Sequence, residues 1–213
     1  MEILNDISLA LQKGKAKDVR ALVQQAVDSG LTAQTILNDG LLAGMGVIGV
    51  KFKNNEIYVP DVLIAARAMK AGTEILKPLL VAAGAKSAGK VILGTVKGDL
   101  HDIGKNLVGM MMEGQGLEVV DLGTDVPAAR FIEASVAHGA RIICCSALLT
   151  TTMVEMKQVV EAAVQAGIRD KLTIMVGGAP VNEAFARSIG ADIYSADAAS
   201  AAEAAVAALK AMA

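Results

Sequence analysis

The sequence predicts two parts: an N-terminal four-helix bundle, residues 1–88, and an α/β domain with a parallel five-stranded sheet, residues 89–213. Two observations support this division. Up to about residue 84, apolar residues recur at intervals of three and four, as in helices that bury one face. After that point, short β-rich runs alternate with helical stretches. The small and polar segment 84–89 between them is typical of a linker.

Turn and cap residues mark the ends of the predicted helices in the first part. Gly14 and Gly30 stand where a helix C-terminus favours glycine, Thr32 is suited to an N-cap, and Pro60 is suited to the first turn of a helix. The pattern predicts two short helices over 3–11 and 19–27, a third from Thr32 to Phe52, and a fourth from Pro60 to Leu80.

The third helix contains four glycines, Gly40, Gly44, Gly46 and Gly49. Each interior glycine costs roughly 1 kcal/mol of helix stability relative to alanine. Something must therefore approach this helix closely. A neighbouring helix and a ligand are both consistent with the pattern.

The second part has five β-rich runs separated by helical stretches. The runs are 91–95, 118–120, 141–145, 172–176 and 192–194, and the helices are 103–115, 127–138, 152–166, 182–188 and 198–211. This alternation predicts an open parallel sheet with helices on both faces. In such a sheet, ligands bind at the carboxyl ends of the strands, where the strand order reverses.

Composition excludes several classes of partner. The formal net charge is −2, aromatic residues make up 2% of the chain, and Trp is absent. The chain therefore has neither a basic patch nor a stacking surface for nucleic acid. No uninterrupted apolar run approaches the roughly 20 residues of a membrane-spanning helix, and the N-terminus lacks the features of a secretory signal, so we expect a cytoplasmic protein without a membrane partner. Adjacent Cys144 and Cys145 lie in an apolar run and are expected in a buried strand.

The loop after the first strand carries the clearest candidate for chemistry. His101 follows Asp99 by two residues, in a loop that opens into a helix. An imidazole there can coordinate a metal while the carboxylate accepts the proton of its other ring nitrogen. A structural hydrogen bond or a helix cap is the alternative. The loop has neither the G-x-G-x-x-G pattern of dinucleotide sites nor the Walker A pattern.

Two other strand ends also carry unusual residues. Hydroxyl side chains cluster between Ser146 and Thr152, and Gly177-Gly178-Ala179-Pro180 allows a bulky ligand to approach the backbone. The only histidines are His101 and His138, so a closed structural zinc site is excluded. A single protein ligand suits a metal that is already held in a macrocycle.

Together these residues resemble the cobalamin-binding signature. Its three parts appear as Asp99-x-His101-x-x-Gly104, Ser146-x-Leu148 and Gly177-Gly178, and the gaps of 41 residues (105–145) and 28 residues (149–176) agree with the family. Residues 44–52 and 58–70 resemble the helical cap that precedes this domain in methionine synthase and in the corrinoid proteins of methyl-transfer systems. The resemblance implies a helical cap domain and a Rossmann-like (flavodoxin-like) cobalamin-binding domain.

The resemblance implies a base-off/His-on mode of cofactor binding, in which His101 replaces the nucleotide base as lower axial ligand of cobalt. Asp99 would accept the imidazole proton. Thr152 stands where methionine synthase has a serine as third member of this relay, so a hydroxyl is retained.

The resemblance also assigns roles to further residues. Ser146 and Thr150 would hold the nucleotide tail, Gly177 and Gly178 would make room for it, and Phe52 and Val59 would lie over the upper face of the corrin. The remaining cofactor-binding positions that it implies are backbone contacts at Gly98, Leu100, Asp102 and Ala179, together with the motif residues Gly104 and Leu148.

The implied function is that of a corrinoid methyl carrier that is not catalytic on its own. It would accept a methyl group on Co(I) cobalamin from a substrate-specific methyltransferase and pass it, as methyl-Co(III), to a second methyltransferase with a folate or thiol acceptor. A reductive activase is a further implied partner. The alternatives are the cobalamin-binding subunit of a mutase, a cobalamin-dependent sensor or regulator, and a flavodoxin-like domain without a cofactor. Methanol, methylamines, betaine and aromatic methyl ethers all remain open as methyl donors.

Overall fold

The computed structural model describes residues 2–83 and 89–212, so residues 84–88 of the predicted linker 84–89 lie outside the described residues. The described residues form two compact units. The helical unit comprises residues up to 83 together with Gly114–Gly116, and the sheet unit comprises the rest.

The helical unit consists of four helices, as predicted: α1 (Glu2–Gln12), α2 (Ala16–Asp28), α3 (Ala33–Lys53) and α4 (Val59–Ala82). Thr32 caps α3 as predicted, because its hydroxyl accepts the Thr35 N–H at 3.1 Å. Helix α4 begins one residue before Pro60, and the Asp61 carboxylate accepts the N–H of Tyr58 at 2.9 Å. These caps satisfy backbone donors that the helices leave unpaired.

Helix α3 contains a π-helical segment, Ile36–Leu42, that the sequence did not predict. Two of its glycines touch α1: a Cβ at Gly40 would lie 3.1 Å from a methyl of Ile7, and one at Gly44 would lie 3.1 Å from the backbone of Ser8. A neighbouring helix therefore accounts for these two glycines. A Cβ at Gly46 would meet nothing within 4 Å.

By length and composition alone, α3 is also apolar enough to cross a membrane, with 39% of its most apolar window buried. Its apolar side chains Leu41, Met45 and Ile48 are buried within the helical unit. Packing inside the helical unit accounts for these three residues, whereas Val47 and Val50 of the same helix are exposed.

The sheet unit has five parallel strands in the order β2-β1-β3-β4-β5, which confirms the predicted α/β class. The strands are β1 (Lys90–Thr95), β2 (Glu118–Asp121), β3 (Ile142–Ser146), β4 (Thr173–Gly177) and β5 (Ile193–Tyr194). The helices are α5 (Ile103–Glu113), α6 (Ala128–His138), α7 (Val154–Gln165), α8 (Glu183–Ile189) and α9 (Ala198–Ala211). Helix α7 begins two residues later than predicted, which leaves Thr152 in the preceding loop.

Buried strand residues such as Ile92, Ile143 and Ile174 pack against Phe131 and Met156 in the core of this unit. Cys144 and Cys145 are buried in β3, as expected. Burial raises the pKa of Cys145 to about 12. Burial, together with the neighbouring thiol of Cys145, raises the pKa of Cys144 well above its usual range. Both cysteines are therefore neutral core thiols at physiological pH.

The strand order places the switch point of the sheet between β1 and β3. From β1 the chain continues to β2 on one side and then returns to β3 on the other side of β1. The loops after β1 and β3 therefore diverge at this point, which is where open α/β sheets bind ligands.

Candidate functional site

The loop after β1 carries Asp99 and His101 at the switch point. The Asp99 N–H donates to the carbonyl of Val96 at 3.1 Å, and the Thr95 hydroxyl donates to the carbonyl of His101 at 2.9 Å. Gly98 takes a positive φ of 78° in the turn between them. The end of β1 thus fixes both the start and the end of this short loop.

The carboxylate of Asp99 is fully buried and accepts hydrogen bonds on both oxygens. Oδ1 accepts the His101 backbone N–H at 3.1 Å and faces its ring Nδ1 at 3.0 Å. Oδ2 accepts the N–H groups of Leu148 at 2.8 Å and Leu149 at 3.2 Å, and the Thr152 hydroxyl at 2.7 Å. The loops after β1 and β3 therefore meet on this one carboxylate.

This environment keeps Asp99 ionised. Burial alone would raise its pKa, but the hydrogen bonds from Leu148, Thr152 and His101 together hold the pKa of Asp99 well below its usual range. A bond between a carboxylate and Nδ1 requires the proton on Nδ1. Nε2 of the neutral His101 ring then carries a lone pair, and the side chain is 51% exposed. Nε2 of His101 is thus available as a single nitrogen ligand for a metal.

Asp125, after β2, also holds this loop, and the sequence analysis missed it. Its carboxylate accepts the Gly98 N–H at 2.7 Å, and its own N–H donates to the carbonyl of Asp99 at 3.0 Å. Asp125 has φ +56°, a left-handed conformation that is uncommon outside glycine. The polar turn 121–125 at a fourth strand end was the signal that could have revealed it.

A buried lysine beside the site was missed as well. The side chain of Lys105, in the first turn of α5, is only 2% exposed; its ammonium pairs with the carboxylate of Asp121 and donates to Asn106 Oδ1 at 2.7 Å. The Asn106 amide donates to the carboxylate of Asp102 at 3.1 Å. These hydrogen bonds and the ion pair connect Asp102, the residue after His101, to Asp121 at the end of β2.

The other predicted site residues lie on the same edge of the sheet or in the helical unit. Ser146 ends β3 and lies in register between Thr95 and Gly177. Thr150 and Ala179 are exposed in the loops after β3 and β4. The rest are Gly104, in the first turn of α5, Gly178, directly after β4, and Phe52 and Val59, half-buried at the end of α3 and the start of α4.

The surroundings of His101 suit a large ligand that brings its own metal. Leu100 is 73% exposed and Ile103 is 76% exposed, so apolar side chains flank the imidazole on both sides in sequence. Among the described residues, no group of three or more His, Cys, Asp or Glu side chains could hold a bare metal ion. A macrocycle that supplies most of the metal's ligands and needs one imidazole fits these residues.

The fold and the site define a parallel α/β protein that presents one imidazole, anchored by a buried carboxylate, at its switch point. Two family models match the chain, each described as a B12 binding domain, over residues 3–77 and 89–207. The chain is 42% identical over 195 residues to a corrinoid protein of Desulfitobacterium hafniense (strain Y51), covering 90% of each chain. It is 43% identical over 195 residues to the dimethylamine corrinoid protein of Methanosarcina barkeri, covering 91% of each chain.

A solved structure agrees with these relatives. A chain of the methanol:cobalamin methyltransferase complex MtaBC from Methanosarcina barkeri matches with a TM-score of 0.89 and 33% identity, over 98% of this chain and 80% of that chain. The chain therefore belongs to the B12-binding family, among the corrinoid proteins of methyltransferase systems. Its cofactor is cobalamin.

Proposed function

We propose that this chain is a methyl carrier that binds cobalamin base-off/His-on, in which His101 would be the protein ligand of the cobalt. The observation that carries this proposal is the contact between Nδ1 of His101 and the ionised, buried Asp99, which leaves Nε2 available. Cobalamin, when bound, supplies a cobalt centre that can take up and give away a methyl group. The chain's own residues set the ligation and environment of that centre.

Asp99 and Thr152 act on the metal through His101. Asp99 holds the ring in the tautomer that has its proton on Nδ1 and increases the electron donation from Nε2. The Thr152 hydroxyl, 2.7 Å from Asp99 Oδ2, completes the relay. These three residues would hold the cobalt of the cofactor through His101 and would keep a proton between Nδ1 and the Asp99 carboxylate.

The remaining cofactor contacts follow from the resemblance. Ser146 and Thr150 hold the nucleotide tail, and Gly177 and Gly178 lie beside it. Gly98, Leu100, Asp102, Gly104, Leu148 and Ala179 surround the cofactor near His101. Phe52 and Val59, which belong to the helical unit, would shield the cofactor from water and oxygen.

The proposed partners are two methyltransferases and a reductive activase. The first methyltransferase delivers the methyl group from its own substrate, and the second transfers it to a folate or a thiol. Relatives named for dimethylamine and trimethylamine and a structural neighbour named for methanol support small methylated compounds as donors. The relatives are corrinoid proteins that match over about nine-tenths of both chains, which favours this role over a mutase subunit or a sensor. A cytoplasmic location is part of the proposal.

Electron paramagnetic resonance of the cobalamin-loaded chain, poised as Co(II) and with the nucleotide base labelled with ¹⁵N, tests the ligand assignment. We expect a splitting from a protein nitrogen that is insensitive to the label. It should disappear in His101→Ala and persist in His138→Ala, since His138 is the other histidine and lies exposed at the end of α6. A splitting that follows the label in the native chain would refute the assignment.

A further inference from the structure

The loop after β4 holds Gly178 tightly against the loop after β3. Gly178 has φ +128°, and a Cβ there would lie 1.9 Å from the carbonyl oxygen of Ala147 and 2.9 Å from its carbonyl carbon. Both the conformation and the contact therefore demand glycine. The two loops are also paired, because the Ala147 N–H donates to the carbonyl of Gly177 at 3.2 Å.

The peptide group between Ala147 and Leu148 lies between Gly178 and Asp99. Its carbonyl oxygen faces Gly178, and its N–H donates to Asp99 Oδ2 at 2.8 Å. The described residues contain no cis peptide bond, and a planar trans peptide directs its C=O and its N–H in opposite directions. A group that displaces the carbonyl must therefore move the N–H as well.

We propose that Gly178 is a positioning residue for the metal ligand His101. It keeps the Ala147–Leu148 peptide where its N–H binds Asp99, and Asp99 in turn fixes the imidazole. The inference rests on the proposed role of His101. In this proposal, Gly178 does more than make room for a nucleotide tail. The backbone conformation at the end of β4 affects the position of His101, which follows β1, two strands away in the sheet.

The hydrogen bonds of Asp99 support this coupling. Oδ2 accepts the Leu148 N–H at 2.8 Å, while Oδ1 faces Nδ1 of His101 at 3.0 Å. If the Leu148 bond were lost, one oxygen of the carboxylate would lose a donor that fixes its position, and the carboxylate would hold the imidazole less firmly.

The first test compares Gly178→Ala with Gly177→Ala in the full chain without cofactor. Gly177 is the matched control because a Cβ there would meet only the carbonyl oxygen of Ser195, at 3.3 Å. We measure hydrogen exchange of the Leu148 amide by ¹⁵N NMR. In Gly178→Ala we expect exchange about tenfold faster or more, and in Gly177→Ala a change below about twofold. An unchanged Leu148 amide in Gly178→Ala would overturn the proposal.

The second test measures binding of cobalamin and of cobinamide, a corrinoid without the nucleotide tail. We expect Gly178→Ala to weaken both by about tenfold and to reduce the protein-nitrogen splitting of the Co(II) form. If Gly178→Ala weakens cobalamin alone, Gly178 serves only the tail and the proposal is wrong. If the native chain binds neither corrinoid, the proposed function fails, and the exchange of the Leu148 amide still decides what Gly178 does to the peptide.

A milder variant covers the case in which Gly178→Ala does not fold, as judged by circular dichroism. The Val181 N–H donates to the carbonyl of Gly178 at 2.9 Å, and the Val181 side chain is buried. Val181→Ala loosens this turn without adding an atom to the contact with Ala147. We expect exchange of the Leu148 amide to rise severalfold, and no rise would count against the proposal.

Discussion

Asp99 contributes both to the stability of the sheet unit and to the orientation of His101 in the candidate site. Its carboxylate is buried, and hydrogen bonds from two loops replace the water it has lost. Such an arrangement is stabilising only while the donors keep their positions, because an unsatisfied buried donor or charge is costly. The residue that orients His101, the proposed metal ligand, is thus also the residue that joins the two loops.

The stability that Asp99 contributes depends on pH in a definite direction. Its pKa in the folded state lies below that of an unfolded aspartate, so the unfolded state binds the proton first as the pH falls. Asp99→Asn leaves the N–H groups of Leu148 and Leu149 facing an amide and should lower the free energy of unfolding by about 3 kcal/mol at pH 7. The difference from the native chain should be fully present above pH of about 4 and shrink by about 1 kcal/mol at pH 3.

Urea unfolding of both chains at pH 7, 5 and 3 measures this difference. Asp102→Asn is the control, because Asp102 is exposed and accepts a bond from Asn106. A difference between the native chain and Asp99→Asn that stays constant from pH 7 to pH 3 would contradict the prediction.

Lys105 and Asp121 form a pair with unequal exposure, 2% against 44% for their side chains. Asp121→Asn leaves a buried ammonium without its counter-ion and should cost about 3 kcal/mol of stability. Lys105→Met leaves a carboxylate that water can reach and should cost only about 1 kcal/mol. Chemical denaturation of both variants measures the two losses in the free energy of unfolding. Equal losses would show that the ammonium of Lys105 is not effectively buried.

At the scale of elements, the glycines of α3 differ in how closely other residues pack against them. Gly44 lies against the backbone of Ser8 in α1, while Gly46 has open space around it. Gly44→Ala should therefore destabilise the helical unit by about 1–3 kcal/mol through overpacking. Gly46→Ala should stabilise it by about 0.5–1 kcal/mol, because alanine has the higher helix propensity. Denaturant unfolding of the two variants should shift in opposite directions, and a loss of stability in Gly46→Ala would contradict this assignment.

Local patterns in the sequence predicted most of the elements. Thr32 and Pro60 gave the starts of α3 and α4 to within a residue, because caps depend on neighbours in the chain. The π-helical segment and the late start of α7 escaped prediction, because they are set by packing and by the bond of Thr152 to Asp99. The His two residues after an Asp, in the loop after the first strand, pointed to Asp99 and His101, and the resemblance to the cobalamin-binding family pointed to Thr152.

Other parts of the site depend on long-range pairing and could not be found in this way. The strained turn at Asp125 and the buried charge of Lys105 are meaningful only once β1 and β2 are neighbours. The order of the strands, which brings the loop after β3 onto Asp99, likewise depends on pairings that no local pattern specifies.

At the scale of the whole molecule, the proposed ligand of the cofactor and its proposed shield belong to different compact units. The sheet unit has its own buried core and contains His101 and the residues that position it. The helical unit has a separate core and carries Phe52 and Val59. A side-chain change at Phe52 or Val59 should therefore leave the proposed ligation by His101 intact, so that the proposed ligation and the proposed shielding can be measured independently.

Phe52→Ala tests the proposed shielding in the full chain. The bond between a methyl group and cobalt is broken by light, and a tight apolar cover favours recombination of the fragments over their escape. We expect Phe52→Ala to accelerate photolysis of bound methylcobalamin severalfold, measured by absorbance under constant light, with an unchanged protein-nitrogen splitting in the Co(II) form. Leu63→Ala is the matched control, since Leu63 is an apolar residue of α4 that is 43% exposed. Equal photolysis rates in the native chain and both variants would show that Phe52 does not cover the cofactor.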